Sequence, residues 1–385
     1  TSLPDRSFYL DESRAEVLEQ YQAHIAAMFA LAGMAEADAV KAAKDVVAVE
    51  VSLAKIHVER QEMRDPTKTY NKIDKDGLQK LTPNLDWDAY LTAVGKPDAT
   101  QVNVKVPAVY TALDKLVMET DISAIRTYLK WLVLHDYAPH LSSPIADENF
   151  KFFAQTLYGS KADQPRWKKC VNRIDRHMGE LLGRAYVDVA FSGESKPTAL
   201  RMIGDIEGAF SDGLAELAWM DETTAERANV KMGKIRNKIG YPDKWKDYSS
   251  LEFGDDYFTN LQTGRAFMIK EILDRVEQPV DKDLWFMSPP TVNAYYNPSV
   301  NEIVFPAGIM QAPFYDAAYP ASFNYGAIGM VMGHELTHGF DDSGSKFDGD
   351  GMLADWWEAD VVTRFEEAGA CVSDLYSTFE VQPDV

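Results

Sequence analysis

Apolar residues recur every three to four positions through most of residues 1–245, the spacing of amphipathic helices packed on a core. SRAEVLEQYQAHIAAMFALAG places Val17, Tyr21, Ile25 and Met28 on one face and ends at Gly33, a residue suited to stopping a helix. EADAVKAAKDVVAVEVSLAKIHVE repeats the pattern with strong helix formers. VPAVYTALDKLVME, ISAIRTYLKWLVLHDYA, CVNRIDRHMGELLGRAYVDVAF, LRMIGDIEGAFSDGLAELAWM and DETTAERANVKMGKIRNKIG continue it. No fixed period repeats, which disfavours a solenoid.

The pattern changes after YPDKWKDYSS, whose Pro, Asp and Ser mark a connection. PPTVNAYYNPSVNEIVFPAG carries β-favouring residues on both sides of Asn-Pro-Ser, predicting a hairpin with strands near 292–296 and 302–305. YGAIGMVMGHELTHGF then reads as a helix with Ile328, Val331 and Leu336 among its apolar positions, DDSGSKFDGDGM as a loop, and ADWWEADVVTRFEEAGACVSDLYSTF as a helix. The expected fold class is mainly α (α+β). A chain of 385 residues exceeds what one core usually supports, and the expected division is a helical domain over 1–245 and a second domain over 246–385 with a small sheet.

Charge narrows the partners. The net charge of −21, from 39 basic and 60 acidic residues, disfavours nucleic acid and anionic membrane surfaces. No apolar run is long enough to span a bilayer; FFAQTLYG and KWLVLHDYA read as buried helix faces. The opening TSLPDRSFYLDESR shows no signal-peptide pattern and no initiator Met, so a processed or incomplete chain is expected. Cys170 and Cys371 lie outside any C-x-x-C, which argues against a redox or zinc role for them.

The strongest chemical signal is H-E-L-T-H. Residues four apart share one helix face, so His334 and His338 can present two imidazole nitrogens to one tetrahedral Zn²⁺. The Glu335 carboxylate can then reach a water on that metal and take its proton, the arrangement a hydrolase needs. A helix with two His, one Glu and the small Gly333 is poor core material, which favours the metal reading over packing. KIDKDG and KFDGDG resemble calcium loops but begin with Lys and lack the closing Glu, and are expected to be turns. His24, His57, His135, His140 and His177 have no metal-like spacing and read as surface or packing residues. A catalytic zinc wants a third protein ligand. The downstream candidates are Asp355, Glu358, Asp360, Glu366, Glu367 and Glu380, of which Glu358 is the one read on a helix able to return to the site.

VNAYYNPSVNEIVFPAGIMQAPFY followed by NYGAIGMVMGHELTHGFDDSGSKFDGDGMLADWW closely resembles the neprilysin family of zinc metallopeptidases, which includes endothelin-converting enzymes and bacterial oligopeptidases. LPDRSFYL, TYNKI, WKKCVNRIDRHMGELLGRAYV and KIGYPDKW are similar to it as well, so the resemblance covers nearly the whole chain. It implies a helical domain capping a gluzincin (thermolysin-like) catalytic domain that contains the small sheet and an active-site helix. It implies one Zn²⁺ on His334 and His338, with Glu335 as general base. It further implies Asn293 and Ala294 as anchors of the substrate backbone, and Ile309, Phe314, Met330 and Val331 as a hydrophobic pocket for the residue after the cut. Asp341 and Asp342 fall where a carboxylate would orient a zinc imidazole.

The activity implied is endopeptidase cleavage of short peptides on the amino side of hydrophobic residues, in an extracytoplasmic setting. The family's third zinc ligand is a Glu in a later motif, expected beyond Val385, which makes the C-terminal remainder of the same enzyme a partner of this segment and weakens Glu358 as a ligand. Cys170 and Cys371 match cysteines that are paired in animal members with residues outside this chain. Asn297 precedes Pro298 and cannot accept a glycan, which fits a bacterial oligopeptidase. The alternative is a non-catalytic peptide-binding protein on the same scaffold.

Overall fold

In the computed structural model, which describes residues 1–191 and 193–380, the helix starts and stops follow local chemistry. Gly33 at φ 95° ends helix Ala15–Leu31, a backbone conformation that costs a residue without Cβ little. The Asp121 carboxylate accepts the Ser123 N–H at 2.7 Å and caps helix Ile122–Tyr137. Among the described residues no helix is long and apolar enough to cross a membrane. The mainly α class holds, with two small sheets as the only ladders among the described residues.

The chain forms two compact units, and each is discontinuous in sequence: 1–170 with 251–279, and 171–250 with 280–385. The expected single cut at residue 245 therefore falls inside the second unit. The reason lies in two returns of the chain. Helix Tyr257–Asp274 goes back to the first unit, where Arg265 meets the Asp136 carboxylate in two bonds of 2.6 and 3.0 Å. Helices Ser195–Leu214 and Glu222–Met232 instead join the core of the second.

The first unit packs helices Ala15–Leu31, Glu36–Ile56 and Ile122–Tyr137 around Tyr21, Ile25, Met28, Val46 and Trp131. Its small Ala39, Ala42 and Ala43 face that core, so neighbouring helices need little separation. A two-stranded antiparallel ribbon joins Lys72–Asp74 to Gln101–Asn103.

The second unit is built on a three-stranded sheet. Strand Glu302–Pro306 lies in its centre, parallel to Arg236–Gly240 and antiparallel to the edge strand Tyr295–Asn297. The central strand is buried along its whole length, and Ile303 and Phe305 join Ile203, Ile239, Ile328, Met332 and Leu336 in one core. The hairpin appears as expected, with a later and shorter first strand, Tyr295–Asn297, paired to Val304, Ile303 and Glu302. Arg236–Gly240, expected as helix, is a strand. Helix Glu222–Met232 ends before it, and parallel pairing with Glu302–Pro306 overrides the local helical spacing. Two further helices differ from expectation. The run before His334 breaks at Ala327 (φ −104°, ψ −88°) into Ala321–Gly326 and Ile328–His338. Trp356 and Trp357 precede helix Ala359–Tyr376 instead of opening it; Trp356 is buried and donates its Nε1–H to the Phe347 carbonyl at 3.0 Å.

Candidate metal centre

Helix Ile328–His338 buries Ile328, Met332 and Leu336 against the sheet and turns the opposite side outward. That division places His334 on the exposed side and His338 half-buried. Their Nε2 atoms stand 3.1 Å apart, with the rings edge to face at 80°. Two nitrogens on one tetrahedral zinc, each about 2.0–2.1 Å from it, are roughly 3.3 Å apart, so the pair fits that ion closely.

The fit extends to the tautomer. Nδ1 of His338 lies 2.7 Å from Oδ2 of Asp341, and a carboxylate there can only accept, so this nitrogen carries the hydrogen. In the neutral ring the lone pair is then on Nε2 of His338, facing Nε2 of His334, where a metal ion would take it. Asp341 is itself fixed, because its Oδ1 accepts the N–H groups of Ser343 at 2.9 Å and Gly344 at 2.7 Å. Gly344 is required by space: a Cβ there would lie 1.8 Å from the His338 carbonyl oxygen.

Glu335 is 6% exposed. Burial raises its proton affinity above that of an ordinary glutamate; His338, His334 and the Tyr296 backbone N–H pull the other way. A carboxylate with raised proton affinity beside two metal-type imidazoles is suited to general-base work.

Of the two adjacent aspartates, Asp341 is the one bonded to the imidazole. Asp342 is exposed and lines a cavity of about 510 Å³ with Trp356, Trp357 and Phe365. Ile309 is buried in the core of the second unit, and Phe314 and Val331 pack against that core, whereas Met330 is 62% exposed. The Ile328 N–H donates to the Phe314 carbonyl at 3.0 Å, which ties the Phe314 segment to the start of the histidine helix. Asn293 is exposed and Ala294 buried, immediately before the edge strand.

Glu358 stands at the N-terminal end of helix Ala359–Tyr376 and pairs with Arg227 at 2.9 Å, and Asp360 pairs with Arg364 at 2.8 Å. Among the described residues no three His, Cys, Asp or Glu side chains gather where they could hold a metal. Of the two calcium-like stretches, KFDGDG runs into a turn as expected, whereas KIDKDG is strand Lys72–Asp74 running into helix Lys75–Leu81, which Asp74 caps. Asp74 accepts the Gly77 N–H at 2.7 Å, and Asp348 accepts those of Asp350 and Met352 at 2.9 Å each. Cys170 and Cys371 are exposed free thiols.

Sequence reasoning missed Lys231. It lies on helix Glu222–Met232 in the buried stripe of Thr224, Ala225, Ala228 and Met232, and its Nζ donates to the carbonyls of Gly339, Gly344 and Phe347. Burial pushes its pKa down to about 7 against the pull of Asp341 and Asp348. The sequence signal was available: a lysine at a core position of an amphipathic helix needs a partner.

Comparison with known proteins fits this geometry. Family models described as peptidase family M13 match residues 1–242, with the family's N-terminal model, and residues 293–385, with its peptidase model. The chain is 36% identical over 402 residues to an endothelin-converting enzyme homolog of Locusta migratoria, spanning 99% of this chain and 55% of that protein. It is 35% identical over 398 residues to endothelin-converting enzyme 1 of Rattus norvegicus, spanning 98% of this chain and 52% of the relative. The chain thus spans about half the length of the curated relatives it matches. Among solved structures, the zinc metalloprotease Zmp1 of Mycobacterium tuberculosis in complex with an inhibitor superposes with a TM-score of 0.94 at 39% identity, covering 98% of this chain and 58% of that one. PepO from Lactobacillus rhamnosis superposes with a TM-score of 0.87 at 25% identity, covering 95% and 59%.

Proposed function

The chain belongs to peptidase family M13, and from that premise we propose that it is a zinc-dependent metalloendopeptidase acting on short peptides, on the amino side of hydrophobic residues. The observation that carries the reading is the His334–His338 pair, with Nε2 atoms 3.1 Å apart, His338 backed by Asp341 and the buried Glu335 between them in sequence.

His334 and His338 would hold the metal, one Zn²⁺ per site. The third protein ligand, a glutamate by family resemblance, is to be sought in the part of the relatives' length that this chain does not span. Zinc, when bound, supplies a Lewis acid that lowers the pKa of a water to about 7 and polarises a carbonyl.

The chain's own residues do the rest. Glu335 takes a proton from the attacking water, the water oxygen bonds to the peptide carbonyl carbon, and the C–N bond breaks as Glu335 passes that proton to the departing amine. Asp341 holds His338 in one tautomer while this happens. Among the described residues the edge strand Tyr295–Asn297 has a ladder partner on one side only, so an extended peptide can add to the other, with Asn293 and Ala294 anchoring the backbone. Ile309, Phe314, Val331 and Met330 would receive the hydrophobic side chain after the cut. The setting we propose is extracytoplasmic.

The test is zinc content beside turnover of a short peptide in the whole enzyme. Wild type should hold one zinc and lose activity to a chelator, and Glu335→Gln should keep the zinc while turnover collapses. Wild-type turnover in Glu335→Gln would falsify the assignment of the base. Peptide binding with neither zinc nor turnover would favour the non-catalytic alternative.

A further inference from the structure

The Lys231 side chain is almost wholly enclosed, at 2% exposure of the residue. Its Nζ lies 2.5 Å from the Gly339 oxygen and 2.7 Å from those of Gly344 and Phe347, and 5.4 to 5.8 Å from the ring centres of Phe340, Trp356 and Tyr296. Gly339 follows directly on the histidine helix, so one cation sits at that helix's C-terminal end, where a positive charge is favourable. The same cation reaches two carbonyls further along, and so ties segment 339–347 into a closed loop.

That loop carries Asp341. Gly344 is held at both ends: its carbonyl accepts from Lys231 and its N–H donates to Asp341, which accepts from His338. The base of Lys231 is fixed as well. Its own carbonyl accepts from Asn301 Nδ2 at 3.0 Å, and Asn301 Oδ1 accepts the Tyr296 hydroxyl at 2.9 Å. An apolar side chain at 231 would leave the Gly339 carbonyl without this donor and strip the Gly344 and Phe347 carbonyls of their charged one, leaving them the Phe347 N–H and the Trp356 Nε1–H. The loop's route to relief is to swing toward water, and Asp341 would go with it.

We propose that Lys231 is a positioning residue for the metal site: by holding loop 339–347 closed it presets Asp341 against His338 before any metal arrives. The inference rests on the metallopeptidase reading for its purpose, but not for its first test. In the metal-free wild-type protein, the Ser343 and Gly344 amides should be strongly protected from hydrogen exchange. Exchange at the rate of an open peptide overturns the proposal, whatever any variant does.

The second measurement is zinc affinity by competition with a chromophoric chelator, for wild type, Lys231→Met, Asp341→Asn and the double variant. Each single change should weaken binding roughly 10- to 100-fold. Because both act through one imidazole, the double variant should bind within about threefold of Asp341→Asn alone. Additive losses, or wild-type affinity in Lys231→Met, would make Lys231 a packing residue and nothing more. A wild-type protein that takes up no zinc sinks the metallopeptidase reading instead, and the exchange result still decides whether the loop is preset.

Discussion

Three glutamates are buried among the described residues; Glu302 pairs with Lys238 at 2.7 Å, while Glu50 in the first unit and Glu335 in the second are treated in opposite ways. Glu50, fully buried on helix Glu36–Ile56, accepts from the Ser2 N–H at 3.0 Å and the Ser2 hydroxyl at 2.8 Å on one oxygen. Its other oxygen accepts the hydroxyls of Tyr9 at 2.9 Å and Tyr21 at 2.8 Å. Four donors spend that carboxylate on structure: it fastens the N-terminal segment to the helix core. Glu335 keeps a raised proton affinity because burial outweighs the stabilisation its neighbours provide. A buried acid whose oxygens are fully occupied holds the fold; one left with an appetite for a proton is available for chemistry.

Replacing each residue should separate the two. Glu335→Gln should cut kcat by on the order of 10²–10⁴, the usual worth of a general base, with the thermal midpoint unchanged or higher. Glu50→Ala should do the reverse. Two buried tyrosine hydroxyls lose their acceptor at about 1–3 kcal/mol each, so urea unfolding should report roughly 2–6 kcal/mol of lost stability. Turnover per folded molecule should stay the same. A Glu50 variant that folds as well as wild type but works slowly would break the comparison.

The histidines sharpen it. His24 is 3% exposed, with Nδ1 3.0 Å from Glu148 and its ring stacked on Phe152. Burial, which outweighs the pull of Glu148, lowers its pKa from 6.5 to about 4, with His135 and Lys151 acting in the same direction as burial. The folded state therefore refuses a proton that the unfolded chain accepts below pH 6.5. The stabilisation is complete above that value and is lost as pH falls through about 4, an effect of about 3 kcal/mol at most. His135, likewise lowered by burial, adds in the same sense. His24→Gln can still donate to Glu148 but cannot titrate, so its urea midpoint should change less between pH 7 and pH 5 than that of wild type. An equal change in both proteins would assign the acid sensitivity elsewhere.

How far the sequence reached follows the same line. Helix faces were legible because a helix is a local pattern, and Tyr21, Ile25 and Met28 are core residues at the expected spacing. His334, Glu335 and His338 were legible because four residues on a helix fix their mutual geometry. Strand Arg236–Gly240 was not, because its partner lies at Glu302–Pro306 and no local spacing announces a parallel pairing. The break at Ala327 depends on packing, and the unit boundary depends on where helix Tyr257–Asp274 returns. The core position of Lys231 was legible in its helix, but its partners were not, because they are backbone carbonyls with no residue identity to read.

The adjacent aspartates are the finest case. The sequence offered Asp341 and Asp342 equally, and only the turn after the helix decides which carboxylate meets the imidazole. Asp341 bonds to His338 Nδ1 and is braced by two backbone N–H groups, whereas Asp342 is exposed at a cavity lined by tryptophans. Asp341→Asn keeps the shape but gives up the negative charge that makes the imidazole a stronger ligand, so zinc affinity should fall roughly 10- to 100-fold. Asp342→Asn should leave it within about twofold, since a charge exposed to water is screened by it. Measured side by side by chelator competition, equal losses would mean that net negative charge near the site matters more than the bond to Nδ1. A loss confined to Asp341 would tie metal affinity to a single hydrogen bond that one residue's shift along the turn would destroy.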